Sequence, residues 1–168
     1  MINIVGDVNF TDGFFDTGFG IGSSIAKNAD PFKHIIRSKN DVWLGNMECV
    51  LSDISNKKGI YKKQFVISPS NLSHINHLDY YNVSNNHVMQ HGSEAYNRML
   101  KYIEDSGSVH VGSLLSKSVK FEHQNKTIGI VSFSQREEKY SNNPLYWYNP
   151  EYKDIKRDRV CSAVALVF

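Results

Sequence analysis

The sequence predicts an α/β fold built on a largely parallel sheet with helices packed against it. Two observations carry that expectation. Short apolar runs alternate with segments of helical character over the first half of the chain, the pattern of strand–helix–strand units. Three of those runs end in acidic or metal-competent residues, where open α/β sheets build their sites. A length of 168 residues allows one sizeable core, so residues 1–168 are expected to form one domain. Hydrophobic residues at 40% and charged residues at 21% are ordinary globular values.

Each element has its own warrant. Ile2 to Val5 predicts a buried strand closed by a tight turn at Gly6-Asp7. Asn9 to Gly22, rich in Gly, Phe and Asp, predicts a loop, and Ser23 to Lys39 a helical stretch with Pro31 marking a restart. Asp41 to Leu44 predicts a second strand running into the polar loop "GNMEC". Ser52 to Lys63 is polar and basic and predicts a surface excursion, followed by a short strand at Gln64 to Ile67. Ser70 can cap a helix from about Asn71 to His77. Asp79 to Ser84 predicts a third strand. Glu94 to Asp105 predicts a helix, with Ala95, Met99, Tyr102 and Ile103 at helical spacing and Gly107 as its stop. Val109 to Val111 predicts a fourth strand. Ser118 to Glu122 and Thr127 to Phe133 alternate around "HQNK" and predict a hairpin. Ser134 to Pro150 predicts a long loop, Glu151 to Arg157 a helix, and Val160 to Phe168 a buried strand.

A formal charge of +2, with basic residues scattered as in Lys57-Lys58 and Lys62-Lys63, argues against a nucleic-acid partner. Cys49 and Cys161 form no CxxC pair and are expected to be free thiols, Cys161 buried. The first residues carry no signal-peptide pattern, and no run reaches the roughly 18 apolar residues that span a bilayer. As written, the chain is expected to be cytoplasmic, with no membrane segment.

The three polar tips are Asp7 with Asn9 beyond it, Gly45-Asn46-Met47-Glu48, and Asn85-Asn86-His87. On parallel strands they share one edge. Their carboxylate, amide and imidazole donors suit manganese, zinc, iron or magnesium. Two such ions clamp the attacking and leaving oxygens of a phosphoester displacement, and an imidazole outside the metal shell can protonate the leaving oxygen. Taken singly, each tip has a plainer reading: an Asx turn at Asp7, a solvated carboxylate at Glu48, a turn at Asn85-Asn86, and a capping or half-buried His87.

Together, "GDVNF", "DVWLGNMECVLSD", "YYNVSNNHVMQHG" and "GSVHVGS" resemble the CapA-type poly-γ-glutamate capsule biosynthesis family, within the calcineurin-like metallophosphatase superfamily. The resemblance covers roughly residues 2 to 135. It implies a metallophosphatase-like sandwich of mixed β-sheets flanked by helices. It implies that Asp7 and Glu48 are metal ligands, with Asn46 beside them as ligand or orienter. Asn86 would hold a second ion, and His87 would face the scissile phosphate as acid or charge stabiliser. An anionic polymer or phosphoester is the implied substrate, and other capsule-synthesis proteins are candidate partners. Family members are often membrane-anchored and extracytoplasmic.

The chain also departs from the family. Asn9 stands where ordinary metallophosphatases have a His. Gln90 falls where an Asp commonly precedes the Gly, and His91 is the candidate to replace some of its function. No His follows His123, whereas later His motifs are expected beyond a strand like "VCSAVALVF". The resemblance therefore implies the N-terminal portion of such a domain, incomplete at its C-terminal end, with little hydrolase activity alone. A non-catalytic assembly component with a vestigial site is the alternative. A generic nucleotide-binding domain is disfavoured because no Gly-rich phosphate loop follows the first strand. His74 and His77 read as a surface pair, and His110 and His123 as structural. Tyr140, Tyr146, Trp147 and Tyr148 read as aromatics packing a loop rather than lining a saccharide groove.

Overall fold

The computed structural model describes residues 1–13, 15–71, 77–133 and 163–167. Its centre is a parallel sheet in the order β1 (Ile2–Val8), β2 (Val42–Met47), β5 (Tyr80–Asn82), β6 (Val109–Val111). Two short parallel strands, β3 (Val50–Leu51) and β4 (Val66–Ile67), pair separately. A third sheet joins β7 (Ser118–His123) antiparallel to β8 (Lys126–Phe133), and β8 parallel to β9 (Ala163–Val167).

Alternation along the central strands sends neighbouring side chains to opposite faces. Tyr81 and Val83 join the large core on one face, where Ala95, Tyr96, Met99 and Ile103 of helix α2 (Ser93–Asp105) are buried. Leu44 and Val111 face the other way and pack on Ile130 of β8. Tyr80 stacks on Phe121 of β7 there, ring centroids 4.8 Å apart. The layers are thus helix, parallel sheet and mixed sheet.

Several elements match their expected positions. Helix α2 ends before Gly107, whose φ of 82° is the left-handed stop that glycine adopts without strain. The β7–β8 turn places Gln124 and Asn125 at φ 51° and 59°, the two left-handed residues of a tight hairpin turn.

Other expectations are corrected. The first strand does not stop at Val5, and Gly6-Asp7 is not a tight turn: β1 runs on to Val8 because the ladder to β2 resumes at Asp7 and Val8. β2 likewise continues through Gly45, Asn46 and Met47, which the sequence assigned to a loop. Backbone pairing holds both extensions, and it needs no apolar side chain. The helix expected over Ser23 to Lys39 shrinks to α1 (Ile21–Ile25). Asn28 ends it at φ 67°, and the Ala29 amide donates to the Ser24 carbonyl, a left-handed cap that stops propagation well before Pro31. Pro69–Asn71 forms a single 3-10 turn, and most of the helix expected up to His77 lies outside the described residues. The expected loop at Ser134 to Pro150, the helix at Glu151 to Arg157, His74 and Cys161 lie outside them too.

The register between β1 and β2 matters most for the site. Ile2, Asn3 and Ile4 face Val42, Trp43 and Leu44, and then Asp7 faces Asn46. Between Ile4 and Asp7, β1 accommodates one residue more than β2 does, a β-bulge. A one-residue shift reverses the facing of everything after it. The bulge therefore brings Asp7 into line with Asn46, and Asn46 pairs in turn with Asn82 of β5.

Gly45 sits beneath this row at a close approach. A methyl group there would lie 2.7 Å from both Leu78 Cδ1 and Val5 Cγ2. Gly45→Ala is therefore expected to lower stability by about 1–3 kcal/mol, the usual range for overpacking a filled core, as read from urea unfolding.

Candidate functional site

The site grows from the Asp7–Asn46–Asn82 row. Asn46 Nδ2 donates to Asp7 Oδ1 at 2.7 Å. Asn46 Oδ1 accepts from Asn82 Nδ2 at 2.7 Å and from Asn85 Nδ2 at 2.9 Å. Asn82 Oδ1 accepts from the Ser84 amide at 3.0 Å and from the Ser132 hydroxyl of β8. Asn46, Asn82, Asn85 and Ser132 are all buried. A buried amide left unpaired is costly, so this network holds only if its members all find partners, and that requirement fixes one geometry.

Asn85 links the network to the third tip. Its Oδ1 accepts from the backbone amides of His87 at 3.0 Å and Val88 at 3.2 Å, folding the chain into an Asx-type turn. That turn presents His87 toward Glu48, with Nε2 3.8 Å from Oε1. Gln90 Nε2 lies 2.8 Å from His87 Nδ1. Phe65 stacks flat on the imidazole, centroids 3.9 Å apart and planes 12° from parallel. Phe65 itself has φ 52°, a left-handed backbone that costs a non-glycine residue about 1–3 kcal/mol.

Burial raises the Glu48 carboxyl above its ordinary range, the nearby charge of Asp7 raises it further, and His87 opposes both. Two carboxylates and an imidazole therefore act on one another electrostatically at this edge. Asp7 is exposed, while Glu48 and His87 are each about one-fifth exposed.

The structure thus brings Asp7, Asn46, Glu48 and His87 together. Asn86, next to His87 in the chain, is half-buried, and its side chain has no hydrogen bond to another described residue. Asn46 differs: its oxygen already accepts two hydrogen bonds, which leaves it no free lone pair. Two carboxylates, an amide and an imidazole match the donor chemistry of a divalent cation. Among the described residues, no three His, Cys, Asp or Glu side chains gather closely enough to hold an ion by themselves, so the amide of Asn86 would have to contribute.

A family model, described as bacterial capsule synthesis protein PGA_cap, matches residues 1–163. The chain belongs to this family. No curated protein matches it. The mixed parallel and antiparallel sheets agree with the metallophosphatase-like α/β fold expected of PGA_cap proteins. Among the described residues, no helix is long and apolar enough to cross a membrane.

Other candidates of this PGA_cap chain fall elsewhere. Asn9 turns back on Thr11, accepting from its amide at 3.2 Å and its hydroxyl at 2.7 Å. His91 does not stand in for the missing acid: it is buried between the Ser55 hydroxyl, 2.6 Å from Nδ1, and the Gln64 carbonyl. Cys49 is free and fully buried, and burial pushes its thiol up to about 11, leaving it protonated and inert at neutral pH. His77 packs on Phe32 near Asp30, and His110 Nε2 pairs with Glu104 at 2.9 Å. Asn82, Ser132 and Phe65 were absent from the sequence-based site. Asn82 and Ser132 join it through strand register, and Phe65 through a loop backbone angle, and the local pattern signals neither.

Two outcomes follow from this packing. Asn46→Ala strands the Asn82 amide and leaves Asn85 only its bond to the Met47 carbonyl, and it is expected to cost about 1–3 kcal/mol in urea unfolding. Burial lowers the His91 pKa below its ordinary 6.5. The unfolded chain therefore takes up the proton first as pH falls, so His91 favours the fold above about pH 6.5 and that contribution is lost on acidification. The urea midpoint should fall from pH 7 to 5, and fall less in His91→Gln.

Proposed function

We propose that this capsule synthesis protein carries a metal-dependent, phosphoesterase-like site at the common edge of β1, β2 and β5. The observation that supports it best is the convergence of Asp7, Glu48 and His87, with His87 Nε2 3.8 Å from Glu48 Oε1. Asp7, Glu48 and Asn86 would hold one divalent ion or two, of manganese, zinc, iron or magnesium. Bound there, the cation would supply positive charge against the phosphoryl oxygens. Asn46 would orient Asp7 rather than donate to the ion. His87 would donate a hydrogen bond from Nε2–H to the leaving oxygen as water displaces it from phosphorus, stabilising the negative charge that develops there.

The substrate in this reading is a phosphoester or an anionic polymer. A cleft of about 540 Å³ lies apart from these residues, with Thr11, Asp12, Ser52, Asp53, Lys62 and Lys63 in its wall. A second reading, a binding component with a vestigial site, draws on the lack of a compact His, Cys, Asp or Glu triad among the described residues.

The test has two arms. Calorimetry with Mn²⁺ or Zn²⁺ should detect binding that Asp7→Asn weakens and Glu48→Gln weakens again. Phosphodiester and phosphomonoester reporters should be hydrolysed with metal and spared with chelator, and His87→Ala should cut kcat by about 10²–10⁴-fold. Absence of both metal binding and turnover would overturn the first reading, and capture of polyglutamate by the same inactive protein would establish the second.

A further inference from the structure

We infer that Phe65 and Gln90 are positioning residues that together hold His87 in one ring orientation and one tautomer, with the proton on Nε2. The inference rests on the reading of His87 as a hydrogen-bond donor to the phosphoester, but its main test does not.

Each contact restrains a different freedom of the ring. The flat stack on Phe65 fixes the imidazole plane and leaves both nitrogens free, because they bond in that plane and not through the face. Gln90 then takes one of them, with an amide N–H pointing at Nδ1 from 2.8 Å. A donor at Nδ1 makes that nitrogen the acceptor, so the proton resides on Nε2. The far end of the ring agrees. Nε2 faces the Glu48 carboxylate, an acceptor, across 3.8 Å, too long for a formed hydrogen bond. The proton thus points into the space between His87 and Glu48, without a bond to hold it there.

The backbone of Phe65 supports a specific role. Its φ of 52° is one that glycine or asparagine would adopt with less strain. Its carbonyl meanwhile accepts from Val50 at 2.8 Å at the start of the β3–β4 pair. The ring is therefore carried on a backbone that is anchored and strained at once, and it is aimed at the imidazole. An aromatic ring that served only as loop packing would need neither feature.

Gln90 also differs chemically from the acidic residue expected at its position. A carboxylate would accept from Nδ1–H and favour the other tautomer or the charged ring. The amide favours the tautomer with the proton on Nε2.

The test uses the full chain with ¹⁵N-labelled histidine, the His87 signals being assigned from their loss in His87→Gln. Long-range ¹H–¹⁵N correlations should give the Nε2–H pattern, and the ring protons should be shifted upfield by Phe65. Phe65→Leu should abolish the upfield shift, Phe65→Tyr should keep it, and Gln90→Leu should give a mixture of tautomers. An Nδ1–H pattern in the unaltered protein, or ring shifts unchanged in folded Phe65→Leu, would overturn the proposal. If Phe65→Leu does not fold, Gln90→Leu and Phe65→Tyr decide in the same way. With metal and reporter, Phe65→Leu and Gln90→Leu should lower kcat about 10- to 100-fold and leave KM within about twofold. If His87→Ala leaves turnover intact, the reading of His87 as a donor to the phosphoester fails alone, and the spectra still judge the clamp.

Discussion

One extra residue in β1 governs the arrangement of the whole edge. It brings Asp7 opposite Asn46, on the line that continues to Asn82. In an unbulged ladder Gly6 would hold that place, and Asp7 would turn to the face of the large core that holds Val8 and Met47, where burying a carboxylate is costly. The bulge is thus a correction of facing, and the carboxylate reaches its amide neighbour through it.

From there the order is built by hydrogen bonds of buried asparagine and serine side chains. Asn46 joins β1 to β5, Asn85 ties the loop carrying His87 back to β2, and Ser132 brings in the second sheet. Four segments distant in sequence are therefore registered by one buried polar set, and an error in any of them would strand a polar group. Such a network specifies a single arrangement more sharply than apolar packing alone, because a displaced methyl group loses far less than an unpaired amide does.

Much of this was legible in the sequence, for identifiable reasons. The alternation of apolar runs gave the parallel sheet, and the apolar spacing of Ala95, Met99 and Ile103 gave α2. The positions of Asp7, Glu48 and His87 just beyond apolar runs pointed to one edge. What escaped depends on quantities that no local pattern carries. Strand extension through Gly6-Asp7 and Gly45-Asn46 is held by cross-strand pairing. The early end of α1 depends on one left-handed Asn28. The role of Asn82 depends on register, and that of Phe65 on a backbone angle. His91 was considered for the wrong task because proximity in sequence to His87 did not place it in the same environment.

The buried frame under the site is made of asparagine and serine, none of which gains or loses a proton across the physiological range. Carboxylates or histidines in those places could have tied the same strands together, but acid would then have loosened the joints. Here the groups that respond to acidity stand at the tips, and the joinery beneath them does not. Changes of ionisation at the edge can alter what the protein attracts without moving the scaffold that presents it.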